Sequence, residues 1–291
     1  MGDGDAEPHP TFCITVDDGR VVGWVDYDRD ERAWLAHDDV NIGYGLHPDA
    51  RGRGLASRAV MLLLHHLSVA TDVQVATLLI DPENQWSLGI PLRCGFDDHG
   101  TLGDNGSRYF KKPVPPVTYS DGVVTIDPWR LEDVAEHVAG TDEEQIRWLW
   151  PEHRADWEAK SHEQRLEHVR GVFETAIAVN ATGPKWSFGV HVDGTLVGHV
   201  DCDLANEHVP HGESNISYTI WPEHRGKGYA ARAARLVIDF VRDHTGAREV
   251  HVLVDPANEA SLRVARAIGA HEVERAAMVR HVLPVMRGRS S

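Results

Sequence analysis

Apolar and β-forming residues gather in four short runs, residues 12–16 and 21–27 around Asp18-Gly19, and residues 188–192 and 196–202 around Asp193-Gly194. Such β-rich runs joined by an Asp-Gly pair predict two β-hairpins. Further along, Ala56, Ala59, Val60, Leu63 and Leu67 fall at helical spacing, and Ala230, Ala233, Ala234, Val237 and Val241 repeat the stripe. Each stripe begins just after a glycine-rich loop. Residues 73–80 and 250–254 are apolar strand-like runs, each followed by Asp-Pro and an asparagine able to cap the next helix. The pattern predicts one unit, written twice: strand, strand, strand, glycine loop, helix, strand, helix.

Residue identities support the repeat. Asn41-Ile42-Gly43-Tyr44-Gly45-Leu46-His47-Pro48 aligns with Asn215-Ile216-Ser217-Tyr218-Thr219-Ile220-Trp221-Pro222. One constant offset then carries Arg51-Gly52-Arg53-Gly54-Leu55-Ala56 onto Arg225-Gly226-Lys227-Gly228-Tyr229-Ala230, Asn84 onto Asn258, Ser87 onto Ser261 and Gly95 onto Gly269. Upstream the offset grows by one residue, pairing Gly23 with Gly198, Asp26 with Asp201 and Asp28 with Asp203. The front ends differ. A strand (123–126) and two helices (130–138 and 164–176) are predicted ahead of the second hairpin, whereas only a short polar stretch precedes the first. Lys111-Lys112-Pro113-Val114-Pro115-Pro116 reads as an extended connection. The boundary falls there, giving a shortened domain over residues 1–115 and a complete one over residues 116–291.

Composition narrows the setting. The 291 residues suffice for two domains, and no apolar run reaches the length of a membrane span. With neither a basic region nor an apolar core in Met-Gly-Asp-Gly-Asp at the start, the expectation is a cytoplasmic protein without membrane attachment. A net charge of −16 disfavours nucleic acid as a partner and suits a cationic amine, although acidity also serves solubility. Cys13, Cys94 and Cys202 lack any C-x-x-C spacing and read as buried small apolar residues. The 19 histidines show no ligand spacing, so no metal is expected.

A glycine loop between a strand and a helix lets backbone N–H groups converge on an anion, while the helix N-terminus adds about half a positive charge. Pyrophosphate is the natural guest. Neither G-x-x-x-x-G-K-[S/T] nor G-x-G-x-x-G is present, which excludes the nucleotide-triphosphate loop and the dinucleotide fingerprint.

Arg225, Gly228 and Ala230, and likewise Arg51, Gly54 and Ala56, resemble the fingerprint of the GNAT superfamily of N-acyltransferases. Asn258-x-x-Ser261 with Gly269 is similar to the branch containing ribosomal-protein N-terminal acetyltransferases and antibiotic-modifying enzymes. The resemblance implies an α/β (α+β) fold of two mixed, splayed sheets flanked by helices, the first copy lacking its N-terminal strand and helices. It also implies acetyl-CoA as cosubstrate, its pantetheine arm entering where the sheet opens. Strand ends Ile220-Trp221 and Leu46-His47 would pair with that arm, and residues 225–230 and 51–56, with Asn258 and Asn84, would hold the remainder.

Acyl transfer needs a neutral amine, a polarised carbonyl and a proton for the departing thiolate. The resemblance points to Ser261 for the last; the tyrosine used by many relatives is Ala265 here and Pro91 in the first copy. The strand glutamate of many relatives is replaced by Asn215 and Asn41, and an amide cannot accept a proton. Glu213, Asp201, Asp203 or a water remain as proton acceptors, the strand aspartates also reading as a solvated face. Trp148 and Trp150, beside acids, either cradle a cationic substrate, with Asp203, or pack between helices. Gly89 and Pro91 predict a kinked or short last helix in the first copy, which places catalysis in the second. The first copy then binds cofactor idly, regulates, or extends the fold. The expected function is acetyl transfer to a primary amine of a small molecule or a peptide N-terminus, a homodimer being compatible with it. The alternatives are an aminoacyl or longer-chain acyl transferase and a non-catalytic acyl-CoA-binding protein.

Overall fold

The computed structural model describes residues 10–16, 19–29, 35–36, 39–180 and 183–285. Asp18 of the first turn and the first nine residues lie outside them. The described residues fall into two compact units, one ending at Pro115 and the other starting at Pro116, with His244–Gly246 grouped with the first.

The first unit contains β1 (Thr11–Thr15), β2 (Val21–Asp28), β3 (Asp39–Leu46), α1 (Leu55–Ala70), β4 (Val75–Ile80), α2 (Gln85–Arg93), β5 (Asp97–Leu102) and β6 (Ser107–Pro113). They form a six-stranded mixed sheet ordered β1-β2-β3-β4-β6-β5. Its core joins the α1 stripe Ala56, Ala59, Val60, Leu63 and Leu67 to Val22, Val40 and Ala76 of the sheet. One expectation is corrected here. Cys13 is exposed on the edge strand β1, while Cys94 and Cys202 are buried. Helix α2 is nine residues long despite Pro91. That proline sits in the last turn, where one missing N–H interrupts little, and its ring is buried.

The second unit begins with β7 (Tyr119–Ser120), β8 (Thr125–Pro128), α3 (Val134–Gly140), α4 (Glu143–Leu149), α5 (Arg154–Ala159) and α6 (His162–Asn180). It continues with β9 (Lys185–Val192), β10 (Thr195–Asp203), β11 (Ser214–Ile220), α7 (Tyr229–His244), β12 (Glu249–Val254), α8 (Glu259–Ala267), β13 (His271–Arg275) and β14 (Val279–Pro284). The eight-stranded mixed sheet is ordered β13-β14-β12-β11-β10-β9-β8-β7. Ala233, Ala234, Val237 and Phe240 of α7 pack on Phe188, Val190, Val200 and Val250. A separate cluster of Trp129, Val134, Val138, Val169 and Phe173 binds α3 and α6 together, Trp129 and Phe173 stacking 4.1 Å apart. Truncating Phe173, which is fully buried, would cost about 3–5 kcal/mol.

Both sheets end in an antiparallel hairpin, β5 with β6 and β13 with β14, which the predicted unit lacked. Gly23 and Gly198 occupy equivalent sites in β2 and β10. A Cβ there would lie 2.2 Å from Gly45 O and 2.1 Å from Thr219 O, so cross-strand approach dictates glycine at both.

Candidate active site

The sheet of the second unit opens between β11 and β12. β11 pairs with β10 along its whole length, from Asp203–Asn215 to Gly198–Ile220, but meets β12 at Ser214–Val250 and Asn215–His251 and then diverges. Trp221 donates its N–H to Val197 O at 2.8 Å, so by strand alternation the main-chain groups of Tyr218 and Ile220 face the opening. The first unit opens likewise: β3 meets β4 at Asp39–Val75, Val40–Ala76 and Asn41–Thr77, and His47 donates to Val22 O at 2.8 Å.

The glycine loop lies at the mouth. Gly226 and Gly228 have φ of 75° and 80°, and nothing lies within 4 Å of the Cβ that either lacks. Glycine is thus required for its backbone conformation, and the loop presents open backbone. Gly52 and Gly54, with φ of 75° and 76°, repeat the arrangement. Lys227 and Arg53 are exposed, while Leu55 with Ala56 and Tyr229 with Ala230 start the helices that follow.

Arg225 turns inward. Its Nε donates to Ile220 O at 2.8 Å, Nη1 and Nη2 grip the Asp142 carboxylate at 2.8 and 2.9 Å, and Nη1 reaches Glu144 at 2.6 Å. Asp142 caps α4 by accepting the Gln145 N–H at 2.9 Å. Burial opposes ionisation of Asp142, but the Arg225 and Gln145 hydrogen bonds outweigh it and hold its pKa below the ordinary carboxylate value. In the first unit Arg51 makes only the first of these contacts among the described residues, Nε to Leu46 O at 3.2 Å.

A cavity of about 420 Å³ fills the opening. Of the residues expected from the sequence, Ile220, Arg225, Gly226, Gly228, Tyr229, Ala230, Asn258, Ser261 and Trp148 line it. Asn258 caps α8 through Ser261 N at 3.0 Å, as Asn84 caps α2 through Ser87 N at 3.3 Å. The Ser261 carbonyl accepts from Tyr218 Oη at 3.1 Å. Burial raises the Tyr218 pKa well above normal, so its phenol stays neutral.

Other expected residues lie apart from the lining. Glu213 accepts from Arg248 N and Glu249 N at 2.7 and 2.6 Å, clipping the start of β12. Trp221 is a buried wedge against Gly140, where an added Cβ would lie 2.5 Å from the indole. Trp150 stacks over His199 at 6.1 Å, and Asp203 accepts from Ala205 N at 2.7 Å. Asp201 is 8% exposed and accepts from Ser217 Oγ at 3.1 Å; Ser217 itself lines the cavity. The Trp148 ring already carries the Arg147 guanidinium, 4.5 Å from its centroid.

Sequence reasoning missed Gln145, Asn215 as a lining group, and Ser217. Gln145 is 2% exposed and lines the cavity, yet neither its amide nitrogen nor its oxygen has a partner. Asn215 Oδ1 and Trp148 Nε1 are likewise buried and unpaired in the same wall. Buried polar atoms left unsatisfied mark a place for a ligand or water. Among the described residues no group of histidine, cysteine and acidic side chains has metal-binding geometry, and no helix is long and apolar enough to cross a membrane.

The family model described as "Acetyltransferase (GNAT) domain" matches residues 3–97 and again 124–271. The chain is 34% identical over 82 residues to spermidine N(1)-acetyltransferase of Escherichia coli (strain K12), covering 28% of this chain and 43% of that one. It is 41% identical over 56 residues to the uncharacterized protein YkkB of Bacillus subtilis (strain 168), covering 19% and 33%. The matched segments thus span less than half the length of these relatives. The solved ribosomal-protein-S5-alanine acetyltransferase from Vibrio fischeri aligns with a TM-score of 0.47 at 16% identity, covering 58% of this chain and 96% of that one.

Proposed function

The chain belongs to the GNAT acetyltransferase family, and on that premise we propose that its second unit transfers an acetyl group from acetyl-CoA to a primary amine of a small molecule or a peptide N-terminus. The observation that carries this reading is the parting of β11 from β12 after two paired positions, with the open-backbone glycine loop at the mouth. That shape suits an elongated cosubstrate with an anionic end. The N–H groups of residues 225–230 would hold the pyrophosphate, and the inward-facing main chain of Tyr218 and Ile220 would pair with pantetheine amides. When bound, acetyl-CoA supplies a thioester activated towards acyl transfer.

The protein's own tasks follow. Ser261, at the first turn of α8 and on the cavity wall, donates the proton that the departing thiolate needs. Gln145, Trp148 and Asn215 offer two donors and two acceptors to an acceptor entering beside α4. The spermidine acetyltransferase relative supports an amine as that acceptor. The first unit shares the loop and the strand parting, and the same reading gives it cofactor binding without transfer.

Calorimetric titration with acetyl-CoA tests the proposal together with thiol release over an amine panel. Two sites are the expected result, one lost on Gly228→Glu and the other on Gly54→Glu, with amine-dependent release of CoA abolished by Gly228→Glu alone. A single site, lost on Gly228→Glu and kept on Gly54→Glu, would leave the first unit as scaffold. Absence of binding overturns the reading.

A further inference from the structure

The strand position of the usual family glutamate holds Asn215, so the acceptor amine needs another proton acceptor. We propose that Ser217 and Asp201 act as a two-residue proton relay, with Ser217 facing the acceptor amine and Asp201 receiving the proton behind it. This inference rests on the acyl-transfer reading above.

Four observations carry it. Asp201 and Ser217 are directly opposed in the β10–β11 register, which turns both side chains to one face of the sheet. Ser217 Oγ donates to Asp201 Oδ2 at 3.1 Å, and Ser217 lines the cavity while Asp201 does not. Asp201 Oδ1 is buried without a partner, leaving capacity that no structural hydrogen bond uses. In the first unit the serine is replaced by Gly43 although Asp26 is retained, so a copy with no helix ahead of its first strand among the described residues also lacks the hydroxyl.

The surroundings suit the role. His199 Nε2, on the same strand, lies 3.9 Å from Asp201 Oδ2, and His137 of α3 stacks on His199 at 5.3 Å. Both are pushed down to about 3, His137 by burial and then by His199, His199 by burial and then by Lys185. They are neutral at working pH. Neither ring therefore places a positive charge beside the Asp201 carboxylate.

The step balances. The ammonium gives one proton to Ser217 Oγ as the hydroxyl proton passes to Asp201. The freed amine forms the C–N bond at the thioester carbon, and the C–S bond breaks. The second proton lost from nitrogen restores the Ser261 hydroxyl after Ser261 has protonated the thiolate, and Asp201 returns the first proton to solvent.

The test compares the full-length chain with Asp201→Asn, Ser217→Ala and Ser217→Thr, using acetyl-CoA with a lysine side-chain amine and a peptide α-amine. Removing the relay should lower kcat by about a hundredfold or more with unchanged acetyl-CoA affinity, whereas Ser217→Thr keeps activity within a few-fold. The loss should be larger for the lysine amine, with a pKa of about 10.4, than for the α-amine near about 8, which is already partly neutral. Wild-type kcat in both Asp201→Asn and Ser217→Ala overturns the relay. So does a loss equal for both amines, or an equally damaged Ser217→Thr, because a packing defect acts in that way. A wild-type chain that binds acetyl-CoA but acetylates neither amine overturns the transfer reading, and the relay with it.

Discussion

Ser217, Thr219 and His199 of the second unit correspond to Gly43, Gly45 and Trp24 of the first. In the second unit this face lies under α3, whose His137 stacks on His199. In the first it has no helix of its own before β1 among the described residues, and the Trp24 indole lies on the two glycines. A Cβ at Gly45 would come 2.7 Å from Trp24 Nε1, and one at Gly43 3.3 Å from the same ring. The glycine loop, strand parting and asparagine cap are alike in both units. Two faces of one sheet have therefore diverged separately: the side proposed to hold cofactor is retained, and the side proposed to hold the acceptor is paved over.

Gly228→Val should break the comparison most sharply. Valine at a φ of 80° strains the loop by about 1–3 kcal/mol and crowds its open backbone. Turnover of acetyl-CoA, followed as released thiol, should fall by about a hundredfold, with Gly54→Val changing it by less than about twofold. Equal losses would mean that the two loops work together.

Arg225→Gln should cost about 2 kcal/mol, because it strips the charged hydrogen bonds from Asp142, whereas Arg51→Gln, losing one bond to a carbonyl, should cost about 0.5 kcal/mol. Urea midpoints measure both. The Asp142 contribution has a definite sign with pH. Its folded pKa is depressed, so the stabilisation is complete above the unfolded value of 3.8 and is lost as pH falls through the folded one.

Histidine supplies the next contrast. His137 and His199 stay neutral down to about pH 3, but each is protonated below about 6.5 once unfolded. The unfolded state thus binds more protons in that window, and stability falls as pH drops through it, by at most about 1.4 kcal/mol per pH unit for each histidine. His199→Gln should flatten the slope measured between pH 6 and 4 by one histidine's share. An unchanged slope would remove His199 from the account. In the first unit, Trp24→Ala should cost about 1 kcal/mol in a thermal melt, since the ring is 44% exposed, and leave acetyl transfer unchanged.

The repeat made much of this legible before any coordinates. Glycine loops and capped helices recur at one spacing and the hairpins at one residue more, and each rests on local chemistry such as a φ only glycine adopts or an asparagine three residues before the N–H it accepts. Helices α4 and α5, at seven and six residues, are too short for a 3.6-residue period to declare itself. Strands β5 and β13 were hidden for another reason. They are charged, exposed edge strands, whose polarity guards against unwanted pairing and erases the strand signal. Ser217 was invisible because only the register sets it against Asp201, and Glu213 looked like chemistry because a carboxylate that clips two backbone N–H groups has the same letter as a base.

Arg225 has one further implication. A single guanidinium fastens the strand end at Ile220 and the cap of the helix that carries Gln145, so the loop and that wall cannot adjust independently. Any ligand that favours the loop arrangement seen here stiffens the opposite wall, and linkage requires the second ligand to return the favour by an equal factor. Cooperativity between the two ligands would then rest on one side chain: with Arg225 intact each tightens the other, and without it they bind as strangers.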